Sequence, residues 1–116
     1  MYYKVLRLKI SRAKVTGKNL YYEGSITLPK PLIKYCDIKP QESVLVVNLN
    51  NGVRFETYVI VGEEEGEIIL NGGAARLGEI GDELLLLFFY YLEADEADYH
   101  KPRIIHLDDR NRPCRR

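Results

Sequence analysis

The tripeptide Asn50-Asn51-Gly52 stands between two runs rich in β-formers: Ser43-Val44-Leu45-Val46-Val47 before it, and Val53-Arg54-Phe55-Glu56-Thr57-Tyr58-Val59-Ile60-Val61 after it. Asn-Gly in that setting predicts a hairpin with a type I′ turn, because both central residues of that turn need positive φ. The rest of the chain follows suit. Residues 2–10 alternate weakly, and Val15-Thr16 and Leu20-Tyr21-Tyr22 suggest short extended pieces. Ser25-Ile26-Thr27-Leu28 reads as a strand stopped by Pro29, and Glu67-Ile68-Ile69-Leu70 as another, ended by Asn71-Gly72-Gly73. Residues 83–91 form a nearly continuous apolar run, the pattern of a strand buried on both faces. Arg103-Ile104-Ile105-His106-Leu107 reads as the last strand. Helix is confined to one short segment over 31–36, a turn at 74–77 and an acidic loop or turn at 92–100. Many short strands with little helix predict a mainly β fold, a small barrel whose closure removes exposed edges.

At 116 residues the chain predicts one domain, spanning 1–116. Seventeen basic and seventeen acidic residues cancel, so no basic field exists to bind nucleic acid. The apolar run at 84–91 is too short to cross a bilayer as a helix. With Cys36 and Cys114 far apart and fitting no disulfide framework, the expectation is a soluble, cytoplasmic protein with reduced thiols and no membrane partner. His100 and His106 match no metal spacing, so no metal is expected.

Few residues carry a chemical signal. Alternation along 53–61 puts Val53, Phe55, Thr57, Val59 and Val61 on one face, as core, and Arg54, Glu56, Tyr58 and Ile60 on the other. Arg54 and Tyr58 then lie roughly 13 Å apart on an ideal strand, and on pattern alone an exposed polar stripe is favoured over a site. Asn71-Gly72-Gly73-Ala74-Ala75 exposes backbone N–H groups and permits close approach, but an ordinary turn has the same composition. Gly24-Ser25 admits two readings. One is a bend between strands. In the other, the serine hydroxyl attacks the preceding carbonyl to give an ester, and elimination and hydrolysis of the resulting dehydroalanine leave a pyruvoyl group. Glycine tolerates the strained backbone at the attacked position. The shift also requires donors for the oxyanion.

Several segments, in order, resemble aspartate 1-decarboxylase, a pyruvoyl-dependent family: Lys9-Ile10-Ser11-Arg12, Val15-Thr16, Leu20-Tyr21-Tyr22-Glu23-Gly24-Ser25, Asn50 to Tyr58, Asn71-Gly72-Gly73-Ala74-Ala75 and Gly81-Asp82. The resemblance implies a six-stranded double-psi β-barrel with short helical turns, assembled as a homotetramer with sites between subunits. It implies autocatalytic cleavage of a zymogen into a β chain, 1–24, and an α chain, 25–116, that begins with a covalent pyruvoyl group from Ser25. No pyridoxal phosphate and no metal are implied. The implied reaction takes L-aspartate, through a Schiff base on Ser25, to β-alanine and carbon dioxide for pantothenate biosynthesis.

By similarity Gly24, Ser25, Thr57 and Asn71 serve processing, and Tyr58 is the proton donor. Lys9, Arg54, Thr57, Gly72, Gly73 and Ala74 bind substrate. A maturation partner is left open. Ser11, Tyr21 and Gly73 depart from the family pattern, where histidine, histidine and alanine are frequent. The competing readings are a non-catalytic β-barrel interaction module and an unprocessed, inactive homologue.

Overall fold

A computed structural model of the chain describes residues 1–114. Along them run β1 (Tyr2–Lys14), β2 (Gly17–Asn19), β3 (Ser25–Pro29), α1 (Lys30–Cys36), β4 (Ser43–Asn48), β5 (Arg54–Gly62) and β6 (Ile69–Asn71). A 3-10 helix (Gly72–Leu77), β7 (Glu83–Glu93), α2 (Ala94–Tyr99), β8 (Arg103–Leu107) and β9 (Pro113–Cys114) complete them. The fold is mainly β, as the sequence predicts.

The hydrogen-bonded order is β2-β6-β3-β5-β4-β7-β1-β8-β9. Because β1 and β2 belong to one run, residues 2–19, the sheet closes on itself. The closure is visible at Val15 and Thr16. Val15 donates to the Asp82 carbonyl (3.0 Å) and accepts from the Gly81 N–H (2.8 Å), extending the β7 ladder, while Thr16 donates to the Ile68 carbonyl (2.8 Å) beside β6. Successive backbone groups of an extended chain point opposite ways, so the run bonds one neighbour on each side. With 2–19 taken as one stave, six staves form the ring: that run, β7, β4, β5, β3 and β6. β8 adds in parallel to residues 8–11 of β1. β1 bends to make the circuit through register shifts at Leu6/Leu8 and Ile10/Ala13, with Arg12 at φ 67° inside the second.

The interior is filled by alternate residues of each stave. Leu8 and Ile10 of β1, Ile26 and Leu28 of β3, Val44 and Val46 of β4, and Leu84, Leu86 and Phe88 of β7 are all essentially buried. α1 covers part of this core with Leu32, Ile33 and Cys36. Pro31 sits in its first turn, and Asp37 closes it in the left-handed region at φ 53°.

Five local expectations are revised. The hairpin loop is not type I′: only Gly52 has positive φ (77°), and its N–H returns to the Asn48 carbonyl at 2.8 Å across a wider loop. Its asparagines work through side chains instead, Asn50 accepting from the Glu83 N–H and Asn51 donating to the Leu77 carbonyl. Residues 20–22 form a turn rather than an extended piece, capped by the Asn19 side chain on the Tyr21 N–H. β7 is buried on one face only, with Leu85, Leu87 and Phe89 half-buried and Tyr91 66% exposed. Val61 is 39% exposed, although its ladder partner Leu28 is buried. A further strand, β9, follows β8.

Candidate active site

Ser25 opens β3, fully buried, while Gly24 just before it is exposed. The Ser25 hydroxyl donates to the Glu23 carbonyl at 3.3 Å and accepts from Asn71 Nδ2 at 3.0 Å. Asn71 faces Ser25 across the antiparallel β3–β6 ladder and is 3% exposed. Its amide nitrogen also donates to Thr27 Oγ1 at 2.9 Å. A donor aimed at a hydroxyl oxygen favours the negative charge that develops there when the oxygen acts as a nucleophile.

The glycine after Asn71 has a definite reason to be glycine. Gly72 has φ +61°, and a Cβ there would lie 2.7 Å from both Gly24 Cα and Gly24 N and 2.8 Å from the Tyr22 carbonyl oxygen. The close neighbour that the small-residue loop admits is therefore the chain's own backbone at 22–24. Gly73 has open space around it, and Ala74 packs into the core.

β5 supplies the other flank. It runs parallel to β3 with Ile26 opposite Val59 and Thr27 opposite Ile60. The ladder begins one residue after Ser25, and Thr57 and Tyr58 are the two residues of β5 just before Val59. Thr57 and Tyr58 are both half-buried. Among the described residues, the hydrogen bonds and close contacts thus bring Ser25, Asn71 and Thr27 together, with Gly72 close against Gly24.

The description of the matching family model is aspartate decarboxylase, and the match covers residues 1–114. The chain belongs to the aspartate decarboxylase family. An aspartate 1-decarboxylase of Kosmotoga olearia is 54% identical over 106 residues, 90% of each chain. One of Caldicellulosiruptor bescii is 50% identical over 116 residues, covering 99% of this chain and 91% of the relative. One of Chloroherpeton thalassium is 48% identical over 110 residues, covering 94% and 81%.

Two of the residues expected to bind substrate, Lys9 and Arg54, stand apart from Ser25. Arg54 is exposed at the far end of β5, opposite Val47. Lys9 is level with Leu87 of β7, which is level with Leu45 of β4, which is level with Glu56 of β5. Three ladder spacings of roughly 4.8 Å therefore separate Lys9 from β5. Its neighbours Leu8 and Ile10 point into the barrel, so Lys9 projects outward.

Sequence reasoning passed over the Glu23 carbonyl, which accepts from Ser25, and Thr27, which shares the Asn71 amide with it. A backbone acceptor leaves no trace in a sequence. Thr27 left one, as a hydroxyl two residues along the same strand and so on the same face.

A cleft of about 500 Å³ beside the cluster is lined by Tyr22, Thr27, Glu63, Glu67 and Asn71, among others. A larger one of about 590 Å³, lined by Arg7, Cys36, His100 and Arg103 among others, contains none of the cluster residues. Burial pushes the Cys36 thiol up to about 11, against the pull of Arg103 and Arg7. No group of three or more His, Cys, Asp or Glu side chains arranged to hold a metal occurs among the described residues.

Proposed function

We propose that this chain cuts itself between Gly24 and Ser25 and then decarboxylates L-aspartate to β-alanine and carbon dioxide. The observation that carries the reading is the Ser25 hydroxyl, buried at the start of β3 with Asn71 Nδ2 donating to it at 3.0 Å and Gly24 packed on Gly72. In the first step Ser25 Oγ bonds to the Gly24 carbonyl carbon and the Gly24–Ser25 C–N bond breaks, leaving an ester and a free amine. Loss of the Ser25 α-proton then expels the Gly24 carboxylate and leaves dehydroalanine, whose hydrolysis releases ammonia and leaves the pyruvoyl group at residue 25. By the family resemblance, Thr57 on the neighbouring strand β5 supplies a hydroxyl to the oxyanion on that carbonyl.

The surroundings fit such a group. Residue 25 is buried, Asn71 offers it a donor, and the glycine at 72 leaves backbone N–H groups of the 72–74 segment free of side-chain bulk. A pyruvoyl group there supplies a carbonyl that draws off the electrons left by departing carbon dioxide. The chain's residues do the rest. Tyr58 of β5, by the family resemblance, returns a proton to the substrate carbon. Arg54 and Lys9 receive carboxylate, the guanidinium with its two-pronged geometry.

Lys9 and Arg54 lie on the outer face and away from Ser25, which supports a homotetramer whose sites are completed by neighbouring subunits. The same outer face is rich in apolar surface: a cleft of about 510 Å³ is lined by Lys4, Leu45, Glu56, Phe89 and Tyr91 among others. The product suits pantothenate biosynthesis in the cytoplasm.

Intact-mass analysis of purified protein under denaturing conditions tests the first step. Two fragments parted after residue 24 are expected, the larger without a free amino terminus and reactive toward hydrazines. A single whole species after prolonged warming, alone and with added cell extract as a source of any maturation partner, overturns self-cutting. Ser25→Ala abolishes cutting and β-alanine formation together, whereas Tyr58→Phe still cuts but turns over slowly. Normal turnover by Tyr58→Phe refutes its role as proton donor.

A further inference from the structure

We infer that Thr27 is a positioning residue for the self-cutting step, acting through Asn71; the inference rests on the self-cutting reading above. A primary amide is nearly symmetric in shape, and its two ends do opposite things to a hydroxyl. The nitrogen end donates to Ser25 Oγ and favours negative charge on it, whereas the oxygen end would accept from the hydroxyl and hold its proton in place. Which end faces Ser25 is set by the neighbours, and Thr27 is the neighbour that sets it.

Ser25 and Thr27 lie two residues apart on one face of β3, both buried, with Asn71 opposite. Asn71 Nδ2 spends one hydrogen on each, at 3.0 Å to Ser25 Oγ and 2.9 Å to Thr27 Oγ1. Ser25 has already committed its own proton to the Glu23 carbonyl. Turning the amide over would forfeit both donations and draw the Ser25 proton away from Glu23. The Ser25 bond to Glu23 and the acceptor that Thr27 gives the second amide hydrogen together favour this orientation.

Thr27 is itself held in one rotamer. Its methyl carbon lies where a Cβ on Gly62 would come within 2.6 Å, so the bare glycine of β5 makes the space into which that methyl fits. With the methyl seated there, the branched side chain directs its hydroxyl toward Asn71. The chain of control runs from Gly62 through the Thr27 rotamer and the Asn71 amide to the Ser25 oxygen.

Thr27→Val keeps the shape and the methyl but removes the acceptor. One Asn71 N–H is then buried without a partner, and the overturned amide, with its oxygen toward Ser25, becomes the better satisfied state. Self-cutting should slow about tenfold or more, as a shift of about 1.4 kcal/mol in favour of the wrong orientation requires.

The experiment follows cutting by intact mass in wild type, Thr27→Val and Thr27→Ser, with thermal melting of each uncut chain. Expected is a slow Thr27→Val that still melts cooperatively and only slightly below wild type, with Thr27→Ser recovering most of the rate. If wild type cuts and Thr27→Val cuts equally fast, the role of Thr27 is overturned while self-cutting stands. If both variants are equally slow and both melt early, Thr27 is merely structural and the inference fails. A wild type that stays whole overturns the self-cutting reading itself, and this role with it.

Discussion

Replacing Gly72 with alanine perturbs the proposed cut from the opposite strand without touching a reacting atom. Its φ of +61° costs an L-residue about 1–2 kcal/mol. The new methyl would also stand 2.7 Å from Gly24 Cα and N, where ordinary contact begins at 3.4 Å, so something must move by 0.7 Å, the difference of the two. β6 and the 3-10 helix are fixed by buried neighbours such as Leu70, Ala74 and Ala75. The exposed loop at 22–24 is what gives way. Displacement carries the Gly24 carbonyl carbon off the line of the Ser25 hydroxyl, which is held independently by Asn71. Misplacement on the scale of 1 Å costs reactions about 10²-fold, so cutting should slow by about 10- to 100-fold and stability fall by about 2–3 kcal/mol. Gly73→Ala is the matched control, because a Cβ there meets nothing within 4 Å and its φ is not in the left-handed region. The assays are cutting by intact mass and unfolding by urea. Gly72→Ala cutting at the wild-type rate, or Gly73→Ala impaired as severely, would refute the reasoning.

Asn48→Ala should cost about 2–3 kcal/mol in urea unfolding, because the buried amide joins three segments: it donates to the Leu77 carbonyl and Asp82 carboxylate and accepts from the Asn50 N–H. The same variant removes the largest influence holding the Asp82 carboxyl below its usual range, so its titration by carbon-detected NMR should move upward. Iodoacetamide at pH 8 should label exposed Cys114 and leave buried Cys36 unmodified until the protein unfolds. Cys36 in the folded chain ionises near 11 rather than 9.0, so above pH 9 the unfolded state releases its proton first. Its contribution to stability is therefore complete below pH 9 and declines as pH rises toward 11. The stability difference between wild type and Cys36→Ala should shrink over that window.

Legibility in the sequence followed the range of the interactions involved. β3, α1, the β4–β5 hairpin and the helical turn after Asn71 were readable because proline, glycine and β-branched residues act on their own neighbours. The turn at 20–22 was misjudged because Tyr21 and Tyr22 favour strands, while the deciding bond comes from the Asn19 side chain. β7 looked buried on both sides because half-buried and buried positions carry the same residue types, Leu and Phe. β9 has two residues and exists only through its pairing with β8. At the site, the motif order pointed to Ser25, Thr57, Tyr58 and Asn71. What no local pattern contained was the parallel pairing of β3 with β5, which begins at Ile26 and Val59, right after Ser25 and Tyr58 in sequence. Lys9 and Arg54 stay apart within one chain for the same reason, since only ladder geometry fixes distances between strands.

The run from 2 to 19 lies wholly on the amino-terminal side of that bond, yet it is bonded to β7 and β8 through β1 and to β6 through β2. Scission there leaves a 24-residue piece woven into the larger one, held by its ladders and by the side chains of Leu8, Ile10, Ala13 and Val15. Unfolding of the cut molecule then also separates two species, and its midpoint acquires a dependence on protein concentration that the uncut chain lacks. Dilution becomes a denaturant, and the two pieces made separately become partners in a reconstitution.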